Sequence, residues 1–358
     1  MLFRSLDLTW GGSGKGVSYP FTLRATLSTP SALALQSDGK VVLTGRCAGD
    51  RGPRAFCVMR LNSDGTLDRS FGDGGISLNS IGEINDTASS IAVLPDGKLL
   101  LTGTCSSTRD QDFCAARYLP DGGIDTSFGT QGTITTNLSV GNDVASGFAL
   151  LPDGRFVISG KCQIIGAYDL CAARYLPDGR LDESFGNAGK VIISGLGAYS
   201  GARLVRQRDG KLTILGSCPN TSGSDFCLHR LLENGSMDST FGLQGRATVA
   251  FGAGYNTPRD LVEQRDGRLL AAGSWLKTGE YIDSSCLLRL LPDGSLDSTF
   301  AVSGKLCLPS SYPGPIVAIS LQNNDHIIVT LSNGYLPNVD AIRLTPTGAR
   351  DFTFGVDG

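Results

Sequence analysis

Short apolar runs separated by polar turns dominate the pattern of hydrophobic and polar positions along the chain. A typical run is Lys40-Val-Val-Leu-Thr-Gly45, which directly follows the dipeptide Asp38-Gly39. Asp-Gly and Asn-Gly between apolar runs predict β-hairpins, because these residues tolerate the positive φ angles of tight turns. No window has the sustained period of an amphipathic helix. The pattern therefore predicts an all-β protein.

A short phrase recurs along the chain and sets a period. Its clearest copy is Leu181-Asp-Glu-Ser-Phe-Gly186. Each unit between two copies carries four strand signals, which for the first unit are 31–36, 40–46, 55–61 and 74–79. The aromatic residue of the phrase recurs at seven places: Trp10, Phe71, Phe128, Phe185, Phe241, Phe300 and Phe354. Seven copies bracket six units, each about 57 residues long, and a period of this size is typical of repeat architectures.

Six units of four antiparallel strands predict a six-bladed β-propeller, folded as one domain over residues 1–358. A propeller closes when one terminus adds a strand to the blade that the other terminus builds. We expect residues 12–22 to supply the fourth strand of the last blade, so that the N-terminal segment closes the ring. The blades are expected at 23–79, 80–136, 137–193, 194–249, 250–308 and 309–358 plus 12–22.

The repeated phrases resemble those of the delta-60 repeat proteins, a bacterial family of β-propellers. The copy at 181–186 and Asp96-Gly-Lys-Leu-Leu-Leu-Thr-Gly103 match the family's two phrases directly, and the resemblance covers essentially the whole chain. It implies a propeller fold and assigns no catalytic residue, because the family phrases mark turns and blade packing.

An arginine stands eight residues before the aspartate of the phrase in every unit. This spacing across a hairpin predicts a charge-assisted contact between the two side chains. The bound aspartate neutralises its arginine, so we interpret the pairs as structural and not as a set of anion sites. They are Arg60 with Asp68, Arg117 with Asp125, Arg174 with Asp182, Arg230 with Asp238, Arg289 with Asp297 and Arg343 with Asp351.

The ten cysteines fall into pairs by position. In the first four units one cysteine ends the second strand and another lies in the third, within disulfide reach. In the fifth unit Trp275 takes the first place, and Cys307 is gained on the next strand, where it can face Cys286. We predict five disulfides, with reduced thiols and a zinc site as weaker alternatives, because the spacing is poor for zinc. The first four pairs are Cys47 with Cys57, Cys105 with Cys114, Cys162 with Cys171 and Cys218 with Cys227.

Disulfides imply an oxidising compartment, so we expect a secreted or periplasmic protein. Residues 1–5 lack the apolar core of a signal peptide, so export implies that the leader has been removed. A net charge of -3 argues against a nucleic-acid partner, and no apolar run is long enough to span a bilayer. We expect a monomer.

One set of positions varies while the frame around it repeats, as in a site built onto a scaffold. Counting back ten residues from each turn aspartate gives Ser28, Asp86, Asp143, Tyr199 and Asn256, followed by Pro315 in the sixth unit. The first five are the candidate ligand-binding residues, placed at the mouth of the central channel. Asp86 and Asp143 would offer oxygen ligands to calcium, whereas the competing interpretation makes both residues caps of the local turn.

Evidence for catalysis in the sequence is thin, because no nucleophile elbow, Walker loop or dinucleotide fingerprint is present. Exposed residues in the loops after the second strands, such as Ile164, Ile165, Tyr168, Tyr281 and Tyr335, favour a protein or glycan partner. We therefore expect a non-catalytic binding scaffold that needs no cofactor. The alternatives are a calcium-dependent hydrolase resembling the lactonases and a structural cell-surface domain.

Overall fold

The computed structural model describes residues 25–49, 55–164, 166–194, 203–280, 283–309, 314–332 and 339–355. These residues form strands and turns and include no helix, which confirms the all-β prediction. In chain order the strands are Ala25–Leu35 (β1), Val41–Gly49 (β2), Ala55–Leu61 (β3), Ile76–Asn79 (β4), Asp86–Val93 (β5), Leu99–Ser106 (β6), Gln111–Tyr118 (β7), Thr133–Thr136 (β8), Asp143–Leu150 (β9), Phe156–Ile164 (β10), Ala167–Tyr175 (β11), Lys190–Ile193 (β12), Arg203–Arg206 (β13), Leu212–Asn220 (β14), Gly223–Leu231 (β15), Arg246–Val249 (β16), Gly254–Glu263 (β17), Leu269–Lys277 (β18), Ser284–Leu290 (β19), Lys305–Cys307 (β20), Ile316–Leu321 (β21), Ile327–Ser332 (β22) and Val339–Leu344 (β23).

The strands pair in chain order within each of the first three repeats. β1 to β4, β5 to β8 and β9 to β12 each form a four-stranded sheet. β13 to β20 form one eight-stranded sheet, because β15 of the fourth repeat also pairs in parallel with β17 of the fifth, at Ser224 and Tyr255. β21 to β23 form a sheet of three strands.

The prediction of six blades is therefore wrong. Within the described ranges four sheets reach the four or more strands of a blade, and the sixth repeat contributes three strands. The predicted closure of the ring is not seen either: among the described residues no fourth strand joins β21 to β23. Residues 12–22, which were expected to close the ring, lie outside the described residues. Side-chain hydrogen bonds between Ser224 and Asn256 join the fourth and fifth repeats, and the repeat period does not encode them.

The Asp-Gly turns form as the sequence predicts. In the second repeat the amide of Gly97 donates to the carbonyl of Leu94 at 2.9 Å, and the Asp96 carboxylate accepts the amide of Lys98 at 3.2 Å. Gly97 has a φ of 80°, a conformation that residues with a side chain rarely adopt. These turns connect the long second strand of each repeat to the first, and so fix the register of the hairpin.

The six predicted arginine–aspartate contacts are present, and each arginine does more than predicted. Nε of Arg60 donates to Oδ2 of Asp68 at 2.8 Å, and its Nη1 donates to the carbonyl of Pro120 in the next repeat at 2.6 Å. The same guanidinium lies 4.5 Å from the ring centroid of Phe71, which is fully buried. Equivalent bonds tie the hairpins of Arg117, Arg230 and Arg289 to the repeat that follows each of them. The other five Nε to Oδ2 distances are 2.7 or 2.8 Å.

The apolar core lies between successive sheets. One cluster joins Val42 and Phe56 of the first repeat to Leu99 and Leu101 of the second, and similar clusters recur along the chain. The described residues fall into two compact units. The first unit holds β1 to β12 except residues 167–170 and 193, and the second holds those residues and β13 to β23.

Candidate functional site

Asp86 and Asp143 occupy equivalent places, at the first residue of β5 and β9. Each lies opposite the first cysteine of its repeat, Cys105 or Cys162, and each is fully buried. Oδ2 of Asp86 accepts the amide of Ile81 at 2.7 Å, and the amide of Gly82 lies 3.1 Å from both of its carboxylate oxygens. The carboxylate therefore holds the loop that leads into its own strand.

Asp143 is bound in the same way. Its Oδ2 accepts the amides of Leu138 at 2.6 Å and Ser139 at 3.1 Å, and its Oδ1 accepts the Ser139 hydroxyl at 2.5 Å. Burial raises the pKa of both this carboxyl and that of Asp86, whereas the amide donors act in the opposite direction. These contacts are those of the turn-capping interpretation, because protein donors surround the oxygens that a cation would need.

The other candidate residues are placed differently. Asn256 is buried in β17, and its side-chain amide donates to the carbonyl of Ser224, so it links the fourth repeat to the fifth. Ser28 falls at a register shift in β1, and its side chain is not among the described ones. Tyr199 lies outside the described residues, as do Ile165, Tyr281 and Tyr335 of the partner hypothesis. A ligand-binding role for these positions stays a prediction.

The described ranges contain no group of three or more histidine, cysteine, aspartate or glutamate side chains arranged to hold a metal ion. Among those residues, Asp143 lies near Asp110 and Asp112. Burial raises the pKa of Asp112, and the charges of Asp110 and Asp143 raise it further. The structure thus places carboxylates near one another in this part of the second and third repeats without building a coordination set.

All five predicted disulfides are present, and the described residues hold no free cysteine. Cys286 and Cys307 face each other directly across β19 and β20, with Cα atoms 4.1 Å apart. The other bonds run diagonally between second and third strands: Cys57 lies opposite Gly45, not opposite Cys47. Five disulfides indicate an oxidising environment. No helix in the described chain is long and apolar enough to cross a membrane.

A cleft lies between the first two repeats. It has a volume of about 1040 Å³ and follows the whole of β4, and we call it the β4 cleft. The loop before β4 and the Asp-Gly turn after β7 complete its walls. Its lining comprises Ser70, Gly72, Asp73, Gly74, Ile76, Ser77, Leu78, Asn79, Tyr118, Asp121, Gly122, Gly123 and Ile124.

Tyr118 is the unusual member of this lining. It ends β7 and is 1% exposed, yet its hydroxyl has no hydrogen-bond partner among the residues that the structure describes. The equivalent residue in the first and fourth repeats is Leu61 or Leu231, each paired with the first residue of the phrase. Burial raises the pKa of Tyr118, so the hydroxyl is protonated. A buried hydroxyl without a partner costs free energy, and a ligand or water that reaches it would remove that cost.

A second cleft lies at the equivalent place between the second and third repeats. It follows β8, has a volume of about 800 Å³ and is lined by Tyr175 where the β4 cleft has Tyr118. The two clefts are built from equivalent strands and turns, but their charged lining residues differ. Arg180 and Lys190 line this β8 cleft, whereas the described lining of the β4 cleft includes Asp73 and Asp121 and no basic residue.

Sequence reasoning missed both clefts. Tyr118 ends an apolar run and has the spacing of a core residue, so its unsatisfied hydroxyl becomes visible when the neighbouring sheet is in place. One signal was available: Tyr118 and Tyr175 stand where the other repeats have leucine.

Five segments of the chain match the model of a family described as "Domain of unknown function (DUF5122) beta-propeller". Each segment runs from just before an Asp-Gly turn to the phenylalanine of the phrase. These five segments are similar to the repeats of this β-propeller family. The match supports a DUF5122 propeller, and the name delta-60 stays a resemblance. The matched residues are 36–71, 94–128, 151–185, 207–241 and 264–300.

No curated protein matches the sequence of this DUF5122 propeller. Solved structures resemble it at low identity. One described as a glucose dehydrogenase has a TM-score of 0.48 and 13% identity, over 90% of this chain and 98% of its own. An ulvan lyase has a TM-score of 0.48 and 6% identity, over 89% and 79%. The aldose sugar dehydrogenase of Streptomyces coelicolor has a TM-score of 0.42 and 15% identity, over 73% and 78%. These likenesses carry no argument about chemistry, and they give no support to the non-catalytic part of our expectation.

Proposed function

We propose that the chain is an exported β-propeller that binds a ligand in the β4 cleft. The observation that carries this proposal is the Tyr118 hydroxyl, which is buried beside the cleft and has no partner. A core position that needs only an apolar side chain is served by leucine, as at Leu61 and Leu231. Contact between its hydroxyl and a ligand in the cleft would explain a tyrosine at this position.

The comparison of the two clefts supports the same proposal. The β4 and β8 clefts share their glycine turns, their strand wall and a buried tyrosine whose hydroxyl has no partner among the described residues, and they differ in charged lining residues. A repeated frame with a changing lining is the expected form of binding sites built onto a scaffold. In this proposal Asp86 and Asp143 belong to the frame, because backbone amides already bind their carboxylates.

Export is the second part of the proposal. Five disulfides in short hairpins fit a protein that folds in the periplasm or outside the cell. A thiol titration of the unfolded, unreduced protein from its native source tests this part. We expect no free thiol among the ten cysteines, and a finding that most are free would contradict export.

Thermal unfolding against a panel of peptides and oligosaccharides tests the binding part. A ligand at about 100 times its Kd adds roughly 2.7 kcal/mol to the free energy of unfolding, which raises Tm by about 3–4 °C. We expect at least one compound to raise the Tm of the wild type and of Tyr175→Leu but not that of Tyr118→Leu. If every shift were the same in Tyr118→Leu as in the wild type, the β4 cleft would not be the binding site.

A further inference from the structure

β4 has a free edge. Within the described ranges β3 is the one strand that pairs with it, and the amide of Arg60 donates to the carbonyl of Gly75 at 3.1 Å just before β4 begins. On the side away from β3 the carbonyl of Ile76 already accepts the amide of Asp73 at 2.8 Å, so the free part of the edge is at Leu78. Hydrogen-bonded and non-hydrogen-bonded pairs alternate along antiparallel strands, so Leu78, opposite Cys57, points its N–H and C=O away from β3. An edge of this kind is a template for one more strand.

The β4 cleft lies along this edge. Leu78 lines the cleft, and its side chain is 47% exposed, so an added strand would find both backbone partners and an apolar contact. Peptides that add to sheet edges gain affinity from main-chain hydrogen bonds and specificity from pockets for alternate side chains. Tyr118 also lines this cleft, and its hydroxyl, which is itself buried, is a donor and acceptor without a partner among the described residues.

The charge of the lining selects the kind of peptide. Asp73 and Asp121 are exposed carboxylates, and the described lining of the cleft contains no lysine, arginine or histidine. No described ion pair uses either aspartate, whereas the phrase aspartate Asp68 is bound by both Lys40 and Arg60. Two such carboxylates attract a basic side chain and repel an acidic one.

We infer that the β4 cleft takes an extended basic peptide, which adds to β4 as a fifth strand and places lysine or arginine against Asp73 and Asp121. The inference rests on the proposed binding function of this cleft and names its ligand class. A sugar would satisfy the carboxylates and the Tyr118 hydroxyl, but it has no regularly spaced backbone donors and acceptors to pair with Leu78. The free strand edge therefore favours a peptide.

Titration calorimetry with defined probes tests the inference. The first probe is a capped heptapeptide of alternating valine and lysine. The others are its glutamate counterpart, the lysine peptide N-methylated at every second amide, and cellohexaose. We expect the lysine peptide to bind, the glutamate peptide to bind about fivefold more weakly or worse, and N-methylation to weaken binding roughly tenfold.

The repeats supply matched variants. Tyr118→Leu introduces the residue found in other repeats and should weaken binding of the lysine peptide about tenfold, whereas Tyr175→Leu should leave it unchanged. Thr130 is the equivalent of Asp73 in the second repeat, so Asp73→Thr introduces the residue found there. This variant should lose most of the preference for the lysine peptide over the glutamate peptide. Asp121→Asn should act in the same direction, with Asp178→Asn as its control. Unaltered melting of each variant shows that the fold is intact.

The outcomes separate the inference from the proposed function. Binding of the lysine peptide that depends on Tyr118 and on free peptide amides supports both. Binding of cellohexaose that depends on Tyr118, with no peptide binding, overturns the peptide inference and leaves the proposed function standing. Peptide binding that survives both N-methylation and Tyr118→Leu overturns the inference. Absence of any Tyr118-dependent binding overturns both.

Discussion

The Nε atom of Arg230 donates to Oδ2 of Asp238 at 2.8 Å, and both side chains are 4% exposed. Arg230 also donates to the carbonyl of Pro292 in the next repeat and lies 4.4 Å from the ring centroid of Phe241. Burial raises the pKa of Asp238, but the Thr240 hydroxyl and amide, Lys211 and Arg230 outweigh it and hold that pKa well below its usual range. One arginine thus neutralises a buried carboxylate and joins two repeats.

Arg230→Met should destabilise the protein strongly, because it leaves the Asp238 carboxylate buried without its main counter-charge. We expect a loss of about 3–5 kcal/mol in the free energy of unfolding, measured by denaturant titration. Arg180→Met is the matched control: Arg180 is 76% exposed and pairs with the exposed Asp178, so its loss should cost less than about 0.5 kcal/mol. Equal losses in the two variants would contradict a structural role for the buried pair.

His229 should make the protein sensitive to acid. It is 1% exposed, neither ring nitrogen has a partner, and burial together with the nearby Arg246 charge lowers its pKa to about 4 from 6.5. The folded state therefore resists protonation of the ring. The stability that this provides is complete above pH 6.5 and is lost as the pH falls through 4. The loss for this group amounts to about 3 kcal/mol.

His229→Leu removes this titration, and Leu288 occupies the equivalent position in the fifth repeat. The measurement is the free energy of unfolding at pH 7 and at pH 4 for both proteins. We expect the variant to lose about 3 kcal/mol less than the wild type over this interval. Parallel pH profiles would show that His229 does not titrate as described.

Removing a disulfide should cost stability in proportion to the loop that it closes. Cys286 and Cys307 are 21 residues apart, and Cys105 and Cys114 are 9 apart. On the chain-entropy model these separations correspond to about 3.3 and 2.6 kcal/mol. We expect the double alanine variant of either pair to melt below the wild type, with the larger loss for Cys286 and Cys307. Unchanged melting of both variants would mean that the bonds do not form in the protein.

Asp143→Ala should open the loop that precedes β9. The change leaves the amides of Leu138 and Ser139 without an acceptor, so we expect a loss of about 2 kcal/mol in the free energy of unfolding. Because the carboxylate is bound to backbone donors, excess calcium should leave the Tm of wild type and variant unchanged. A rise in Tm with calcium that is abolished in Asp143→Ala would restore the calcium interpretation of this residue.

Local features of the fold were predictable because short-range chemistry determines them. The third strand of the first repeat was expected at 55–61 and is found at Ala55–Leu61. The disulfide of Cys286 with Cys307 followed from one lost and one gained cysteine. The first strand was expected at 31–36 but occupies Ala25–Leu35, because register shifts let the chain stay paired past Pro30.

Features that depend on contacts between repeats were not predictable. The number of separate sheets depends on the parallel pairing of Ser224 with Tyr255, beside which Ser224 and Asn256 are hydrogen-bonded, and the repeat period cannot reveal these contacts. The same holds for the candidate site. Asp86 varies among repeats as a ligand-binding residue would, yet its carboxylate holds a loop, whereas Tyr118 has the pattern of a core residue and lines a cleft.

Amide hydrogen exchange at Leu78 tests the central claim, which is that the β4 cleft is a binding site along a free strand edge. The experiment follows the exchange rates of Leu78 and of Thr135, its equivalent in β8, with and without saturating lysine heptapeptide. We predict that exchange at Leu78 slows at least tenfold while exchange at Thr135 is unchanged, because a hydrogen bond to the added strand protects the first amide alone. Saturation of the protein with peptide and no change at Leu78 would contradict the account.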